Sequence, residues 1–310
     1  MRTTNFTNFA NKREQTKAML SVCRARAKST KLIKRIDLGD MDFQIDKIYN
    51  EDCLEGMKRI ADGAVDCIIT DLPYGTTACA WDSVIPFEPL WEQFKRVTKP
   101  NAAIVLFGSE PFSSALRMSN IKDYRYDWIW DKQKGFGFAN ANKMPMKSHE
   151  NISVFYRKLP TYNPQKTEGE PYRCGARIRL KNGALMTERQ LTEEEKADIT
   201  KIKSRSGIAG LYQSETINHG DRYPMTIISI PRLYHNIVHP TQKPVDLLRY
   251  LILTYSNEGD TILDATIGSG TTAVAALMEK RHFIGFETNK EYFDIAQGRI
   301  NEVLRNPTLF

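Results

Sequence analysis

Short apolar runs separated by helix-like patterns dominate the chain from residue 45 onward. The run from Val65 to Thr70 has the composition of a buried strand, and turn residues follow it directly. Similar runs predict strands at residues 102–107, 128–130, 152–156, 261–263 and 282–286, and a short one ending near residue 50. Apolar spacings of three and four residues predict helices at residues 54–60, 89–97 and 273–280. Residues 241–244 launch a further helix, and Val245, Leu248, Leu251 and Ile252 supply its predicted buried face. Because strands alternate with helices, the pattern predicts an α/β fold with a mostly parallel sheet.

Residues 160–232 interrupt this pattern. They lack buried-strand runs and carry scattered Gly, Pro and Asn. Within them, Thr192 and Glu195 form a capping box that predicts a helix to about Lys203. A second irregular stretch, residues 135–146, predicts a mobile loop. The pattern therefore divides the chain into four segments, which are residues 1–44, 45–159, 160–232 and 233–310.

Positive charge is concentrated at the N-terminus. The chain has 44 Lys and Arg against 37 Asp and Glu, a formal net charge of +7. Residues 1–36 hold 10 of these basic residues against Glu14 alone, so this arm carries +9, and the other 34 basic and 36 acidic residues sum to −2. Basic arms commonly contact polyanions, although a solvated leader has the same composition. We expect the arm to contact a polyanion.

Composition argues against several classes of protein. The hydrophobic share of 41% and charged share of 26% are ordinary for a globular chain. No apolar run approaches the roughly 18 residues of a membrane span, and no signal-peptide core begins the chain. The 5 cysteines form no C-x-x-C pair, and the histidines show no metal-ligand spacing. We expect a cytoplasmic protein with reduced thiols, no membrane partner and no metal.

A turn that could carry chemistry follows the first long apolar run, and its residues are Asp71, Leu72, Pro73, Tyr74 and Gly75. In open α/β sheets, ligands bind beyond the carboxyl ends of the strands. An acid, a proline-fixed backbone and an aromatic ring therefore arrive together at the predicted ligand edge. Taken alone, such a turn is equally the ordinary end of a strand.

A glycine-rich loop lies far downstream. Asp264 follows the run at residues 261–263, Gly268 and Gly270 precede a helix, and Glu287 ends the next predicted strand. The glycines let the backbone approach a ligand, and the final acid can hold a ribose diol. The same spacing fits a dinucleotide fingerprint, so a nicotinamide-dependent oxidoreductase is an alternative. The C-terminal position of the unit, the acid at Asp264 and a second acidic loop after Tyr49 oppose that alternative.

The order of three motifs resembles the β-class DNA amino-methyltransferases. In that family a catalytic D-P-P-Y half precedes the half that binds S-adenosylmethionine, with a target-recognition segment between them. The matching stretches here are Asp71-Leu72-Pro73-Tyr74, His239-Pro240-Thr241-Gln242-Lys243-Pro244 and Asp264 through Thr272. The resemblance covers about residues 45–305. It implies a Rossmann-like methyltransferase fold with circularly permuted motif order and a target-recognition insertion at residues 160–232.

Two residues depart from the family pattern. Leu72 stands where the family usually has Pro, and Thr266 stands where it usually has Phe. The departure at Leu72 bears on activity, because the resemblance implies that the main-chain carbonyl at this position accepts a hydrogen bond from the target amine. The second bears on the packing around the cofactor.

The resemblance implies transfer of a methyl group to the exocyclic N6 of adenine in DNA. Asp71 favours adenine, since members that act on cytosine more often have Ser there. The resemblance also implies that the Asp71 carboxylate and the Leu72 carbonyl accept hydrogen bonds from the N–H groups of the target amine, and that Pro73 fixes the backbone. Tyr74 offers a stacking face to a base flipped from the duplex, although a structural Tyr in a turn is the plainer interpretation.

The remaining site residues are also carried over from the resemblance. Glu287 binds the cofactor ribose and Asp52 its adenine. The expected cofactor-binding set is Asp52, Cys53, Thr241, Lys243, Asp264, Gly268, Gly270, Thr271 and Glu287. Phosphate contacts are expected from Lys132, Lys134 and Lys143, and base-edge contacts from Arg173, Arg177, Arg179, Asn182, Gln190, Lys203 and Arg205.

Double-stranded DNA is the expected partner, and the family also allows a homodimer and a cognate restriction endonuclease. A location at the nucleoid of a bacterial or phage-infected cell follows from a DNA substrate. Four alternatives remain open at this stage: N4-cytosine methylation, methylation of RNA or a protein amide, an inactive DNA-binding relic, and the oxidoreductase.

Overall fold

A computed structural model of the chain describes residues 43–76, 82–174, 177–179, 185–187, 212–213, 216–233, 238 and 241–306. Residues from Ile45 onward form one compact unit. The basic arm at residues 1–36 and the predicted helix at residues 192–203 lie outside the described residues, and so does His239. In the described part of the chain, no helix is long and apolar enough to cross a membrane.

An eight-stranded sheet forms the centre of the described fold. Its strands are β1 (Lys47–Tyr49), β2 (Val65–Thr70), β3 (Thr98–Gly108), β4 (Tyr124–Phe136), β5 (Lys147–Phe155), β6 (Ile227–Ser229), β7 (Thr261–Asp264) and β8 (His282–Phe286). They lie in the order β1-β8-β7-β2-β3-β5-β4-β6. All neighbours are parallel except β5, which is antiparallel to both β3 and β4. The mostly parallel sheet is as predicted.

Helices flank the sheet, and their bounds are α1 (Cys53–Met57), α2 (Phe87–Val97), α3 (Phe112–Ser119), α4 (Val245–Tyr255), α5 (Thr271–Met278) and α6 (Lys290–Arg305). The central strands read as nearly continuous apolar runs because both of their faces are covered. In β2, for example, Cys67, Ile68 and Ile69 are completely buried. The α4 helix buries Leu247, Leu248, Leu251 and Ile252 against this sheet, so the predicted core face is close to the observed one.

Several elements differ from the sequence prediction. The β3 strand begins at Thr98, four residues before the predicted start at residue 102. Its pairing with β2 shifts between Thr98 and Ala103, so Pro100 lies outside the ladder and its missing N–H leaves no sheet bond unmade. The β4 strand extends to Phe136, which shortens the predicted loop at residues 135–146. Helices α3 and α6 were not predicted.

The predicted insertion contains short antiparallel strand pairs. Thr167–Glu168 pairs with Asp221–Arg222, and Tyr172–Cys174 pairs with Thr216–Asn218. Arg177–Arg179 pairs with both Leu185–Thr187 and Tyr212–Gln213. The β6 strand, near the end of the insertion, instead joins the central sheet beside β4. The four-segment division of the chain stays a prediction.

Strand order brings four acids to one edge of the sheet. Asp52 follows β1, Glu287 follows β8, Asp264 ends β7 and Asp71 follows β2. These strands are consecutive neighbours and run in the same direction, so their carboxyl ends share this edge. Since β5 runs the other way, its amino end lies at the same edge and brings Glu150 with it.

Candidate active site

A cavity of about 480 Å³ opens at this edge of the sheet. It is lined by most of the residues that the sequence singled out, namely Asp52, Cys53, Asp71, Leu72, Pro73, Tyr74, Lys132, Thr241, Lys243, Asp264, Gly268, Thr271 and Glu287. Glu51, Glu150 and Arg232 line it as well. Residues from the loop after β2 and from the glycine-rich loop after β7 thus line the same cavity.

Asp71 is held by hydrogen bonds on three sides. The Tyr74 hydroxyl donates to Oδ1 at 2.5 Å, and the Lys243 ammonium donates to Oδ2. The Thr266 hydroxyl donates to the Asp71 main-chain carbonyl at 2.9 Å. Burial raises the pKa of Asp71, and the neighbouring ammonium of Lys243 opposes that rise. The carboxylate is therefore fixed in the cavity with a cation beside it.

Packing fixes the rest of this loop. Leu72 is buried and is also one of the residues that line the cavity. The Tyr74 ring stacks on Phe112 with a centroid distance of 5.0 Å. Burial, with Asp71 nearby, raises the pKa of Tyr74, so its hydroxyl stays protonated and remains a donor. The Asp82 carboxylate accepts the main-chain N–H groups of Gly75 and Thr76 at 2.8 and 2.9 Å.

A chain of ion pairs extends from Asp71 across the cavity. The Lys243 ammonium lies 3.3 Å from Glu150 Oε2, and the Lys132 ammonium donates to Glu150 Oε1 at 2.5 Å. Burial opposes ionisation of Glu150, yet the ammonium groups of Lys243 and Lys132 outweigh it and lower its pKa. Burial lowers the pKa of Lys132. Two acids and two lysines thus form a connected cluster beside the predicted catalytic loop.

The glycine-rich loop is tied to the strands around it. The Asp264 carboxylate accepts the Thr272 hydroxyl at 2.6 Å and the Thr266 N–H at 3.1 Å. Burial raises the pKa of Asp264 to about 6. Glu287 accepts the N–H groups of Gly268 at 3.0 Å and Asn289 at 2.7 Å. These bonds hold both carboxylates at the cavity wall.

Gly270 meets a steric requirement for glycine. Its φ of +79° is left-handed, and a Cβ there would lie 2.9 Å from the Cβ of Ala296 in α6. From the same helix, the Arg299 guanidinium donates to the Ser269 carbonyl at 2.5 Å and to the Thr271 hydroxyl at 3.1 Å. Helix α6 therefore packs against the glycine-rich loop and helps to fix its position.

Asp52 begins helix α1. Its Oδ1 accepts the N–H groups of Leu54 at 2.8 Å and Glu55 at 3.3 Å, and Oδ2 makes no hydrogen bond with the described residues. Burial raises the pKa of the adjacent Cys53 thiol to about 12, so it stays protonated and is a poor nucleophile. The loop after β1 thus offers one carboxylate oxygen to the cavity and no thiolate.

The comparison with known families decides the identity. A family described as DNA methylase, whose name joins N6 and N4 methylation, matches residues 65–298. The chain belongs to this DNA methylase family. The matched residues include Asp71, Lys243, Asp264 and Glu287 of the cavity. Membership of this family excludes the oxidoreductase alternative.

Curated relatives agree with this assignment. Type II methyltransferase M1.MboII of Moraxella bovis is 24% identical over 274 residues, which cover 84% of this chain and 98% of that protein. Type II methyltransferase M.HpaI of Haemophilus parainfluenzae is 26% identical over 272 residues, covering 82% of this chain and 74% of that protein. The protein is therefore a DNA methyltransferase with a DNA substrate.

Solved structures confirm the fold. The M1.HpyAVI–SAM complex matches with a TM-score of 0.53 and 22% identity, covering 82% of this chain and 98% of that one. PvuII DNA methyltransferase, described as cytosine-N4-specific, matches with a TM-score of 0.54 and 14% identity, covering 84% of this chain and 91% of that one. The predicted S-adenosylmethionine-dependent methyltransferase fold is confirmed.

S-adenosylmethionine is the cofactor of this methyltransferase, and the cavity suits it chemically. The cofactor supplies a methyl group on a positively charged sulfonium. Its ribose hydroxyls and amino acid ammonium need acceptors, and Asp52, Asp264 and Glu287 provide carboxylate oxygens along one wall. The buried side chains of Ile267 and Phe286 give that wall an apolar part for an adenine ring. Which atom each residue binds stays a prediction.

The predicted DNA contacts lie in different surroundings. Lys134 and Lys143 are exposed near the turn between β4 and β5, as a phosphate contact requires. Lys132 instead lines the cavity and pairs with Glu150, so its ammonium already has a carboxylate partner without a DNA phosphate. Arg173, Arg177 and Arg179 lie on strands of the insertion whose side chains are not described. Asn182, Gln190, Lys203 and Arg205 lie outside the described residues.

Sequence reasoning missed Glu150, and the cofactor role of Lys243 stays a prediction. Glu150 lies two residues before the predicted run at residues 152–156, which places it near one end of a strand but does not say which edge of the sheet that end reaches. The antiparallel direction of β5 decides this. Lys243 was assigned to the cofactor, and the structure places its ammonium on Asp71.

Proposed function

We propose that this methyltransferase transfers a methyl group from S-adenosylmethionine to the N6 amine of an adenine that is flipped out of duplex DNA. The observation that supports this is the Asp71 carboxylate, fixed in the cavity by Tyr74 and Lys243. Adenine is favoured because the residue at the head of the loop is Asp, whereas members of the family that act on cytosine more often have Ser.

The adenine amine is a weak nucleophile because its lone pair is delocalised into the ring. Two acceptors on its N–H bonds draw the nitrogen toward tetrahedral geometry and direct the lone pair out of the ring plane. Asp71 supplies one acceptor and the Leu72 carbonyl supplies the other. Replacement of the usual Pro by Leu72 keeps this carbonyl, and the buried Leu72 side chain anchors it. The charge on Asp71 also stabilises the positive charge that develops on the nitrogen.

The position of the acceptors supports base flipping. Asp71 lies inside the cavity with only 22% of its side chain exposed, and an amine inside a base-paired duplex cannot reach such a group. The Tyr74 ring, oriented by its contact with Phe112, is the proposed stacking surface for the extruded base. The insertion at residues 160–232 is the proposed reader of the DNA sequence. A homodimer, a cognate endonuclease and a nucleoid location stay predictions.

The test is methylation in cells that lack other DNA methyltransferases. Wild-type protein should produce 6-methyladenine at one sequence motif, identified by mass spectrometry of nucleosides and by sequencing that detects modified bases. Asp71→Ala should abolish it, whereas Asp294→Ala, which alters an exposed pair with Lys290, should leave it unchanged. Finding 4-methylcytosine instead would overturn the adenine assignment, and activity in Asp71→Ala would remove Asp71 from the mechanism.

A further inference from the structure

We infer that Glu150 is a positioning residue that takes over the Lys243 ammonium when Asp71 binds the target amine. The inference rests on the proposed function, in which Asp71 is the acceptor for that amine. It assigns a role to the ion-pair cluster of Asp71, Lys243, Glu150 and Lys132, which cofactor binding alone does not explain.

Lys243 lies between two carboxylates. Its ammonium donates to Asp71 Oδ2 and lies 3.3 Å from Glu150 Oε2. That second oxygen is buried and has no hydrogen bond within the described residues. A buried carboxylate oxygen without a hydrogen-bond donor is costly, so it is a ready acceptor for an ammonium that moves a short distance.

Lys243 in its observed position works against the proposed chemistry. Asp71 must attract a nitrogen that becomes positive as the methyl group arrives, and an ammonium on the same carboxylate opposes that charge. Lys243 is only 8% exposed, so it cannot simply leave Asp71 for water. An unpaired buried ammonium would be strongly destabilised. A second acid within reach removes this conflict, because the ammonium then exchanges one carboxylate for another.

Glu150 is held in place for this exchange. Its Oε1 accepts the Lys132 ammonium, and Lys132 lies over the Trp130 ring at 5.0 Å and the Phe136 ring at 5.3 Å. Glu150 and Trp130 are also paired across the β4–β5 ladder. One oxygen of Glu150 is therefore anchored to a rigid part of the sheet, while the other faces Lys243. The two acids and two ammonium groups sum to zero charge, and the exchange does not change that sum.

The test compares two duplexes that contain the methylated motif, one with the target adenine and one with purine, which lacks the 6-amino group. Glu150→Gln keeps the shape of the side chain and removes its charge. We expect it to weaken binding of the adenine duplex about tenfold, as for loss of a charged hydrogen bond, and to lower kcat. Binding of the purine duplex and of S-adenosylmethionine should not change, since no amine then competes with Lys243. Equal weakening on both duplexes would overturn the inference.

A double-mutant cycle separates this role from a structural one. Lys243→Met is expected to lose much of its activity, because without that ammonium burial favours the protonated form of Asp71, which is a poorer acceptor for the target amine. In that background Glu150→Gln should cause no further loss, whereas a structural role would give the same fold-loss in both backgrounds and overturn the inference. If Glu150→Gln fails to fold, Glu150→Asp shortens the reach to Lys243 and allows the same duplex comparison. Failure of the proposed function is distinct, because the wild-type protein itself would then bind both duplexes equally.

Discussion

The Thr266 hydroxyl donates a hydrogen bond to the main-chain carbonyl of Asp71, 2.9 Å away, across residues that are far apart in the chain. The same hydroxyl lies 2.9 Å from that of Thr70, at the end of β2. Thr266 belongs to the loop that follows β7, and Asp71 heads the proposed catalytic loop. A residue that departs from the usual Phe of the family therefore links the two loops directly.

This link predicts the behaviour of Thr266→Val, which removes the hydroxyl and keeps the shape. We expect a fall in kcat of about 2- to 12-fold, the equivalent of one hydrogen bond worth ~0.5–1.5 kcal/mol. Affinity for S-adenosylmethionine should change little, because the bond that is removed goes to the Asp71 loop. Steady-state kinetics and calorimetry measure the two effects. Thr266→Ser is the control that retains a hydroxyl. If its kcat were as low as that of Thr266→Val, loss of the hydrogen bond would not be the cause of the lower kcat.

Glu287 is predicted to bind the cofactor ribose. Glu287→Ala should weaken S-adenosylmethionine binding by about 1–3 kcal/mol, the range for a hydrogen bond to a charged group, and it also removes the acceptor for the Gly268 and Asn289 N–H groups. The matched control is Glu258→Ala, which breaks an exposed pair with Lys280. Calorimetry that gave the same affinity for both variants would contradict the ribose assignment.

Asp264 should make cofactor binding depend on pH. Its pKa of about 6 means that the carboxyl is protonated and neutral below that value and ionised above it. We predict that Asp264 lies at the methionine end of the cofactor, where only its ionised form attracts the cofactor ammonium, so affinity should rise with pH through about 6 and level off above about 7. Asp264→Asn cannot ionise, and it should bind more weakly with a flatter profile. An affinity that instead fell between pH 5 and 7 in the wild-type protein would contradict this sign.

The basic arm should supply DNA affinity without sequence preference. Removing residues 1–36, which carry +9, should weaken binding to all duplexes similarly. The slope of log binding constant against log salt concentration should become shallower by about 0.9 for each DNA phosphate that the arm neutralises. The methylated sequence should stay the same. Binding titrations at several salt concentrations measure the slope, and an unchanged slope would show that the arm does not bind DNA.

Exchanging residues 160–232 for a relative's segment is the complementary experiment, and it should change which sequence is methylated.

Local patterns predicted the strands that carry the site. The apolar run at Val65–Thr70 and the acid after it placed Asp71 correctly, because a parallel strand buried on both faces leaves a recognisable composition. Asp264 and Glu287 followed from the same reasoning, since each closes a buried strand and β7 pairs with β8. Parallel neighbours share an edge, so these acids could be brought together from the sequence.

Features that depend on strand direction or on distant pairing could not be predicted. The position of Glu150 follows from the reversed direction of β5, and a short apolar run reads the same in either direction. Lys132 resembled a loop lysine, but β4 continues past it to Phe136 and turns the side chain into the cavity. Helix α6 does have an apolar spacing, at Phe293, Ala296, Ile300 and Val303, that could have been recognised.

The pairing of β2 with β7 bears on how such a chain could evolve and be engineered. Leu263 lies opposite Ile68, so segments from the two halves of the methyltransferase domain are neighbours at the centre of the sheet. The sheet is held by hydrogen bonds between these strands and does not depend on which segment is synthesised first. Gene fusion in either order could therefore give the same architecture. A chain cut within the insertion should likewise reassemble from two separately expressed fragments, the first supplying Asp52, Asp71 and Glu150 to the cavity and the second supplying Lys243, Asp264 and Glu287.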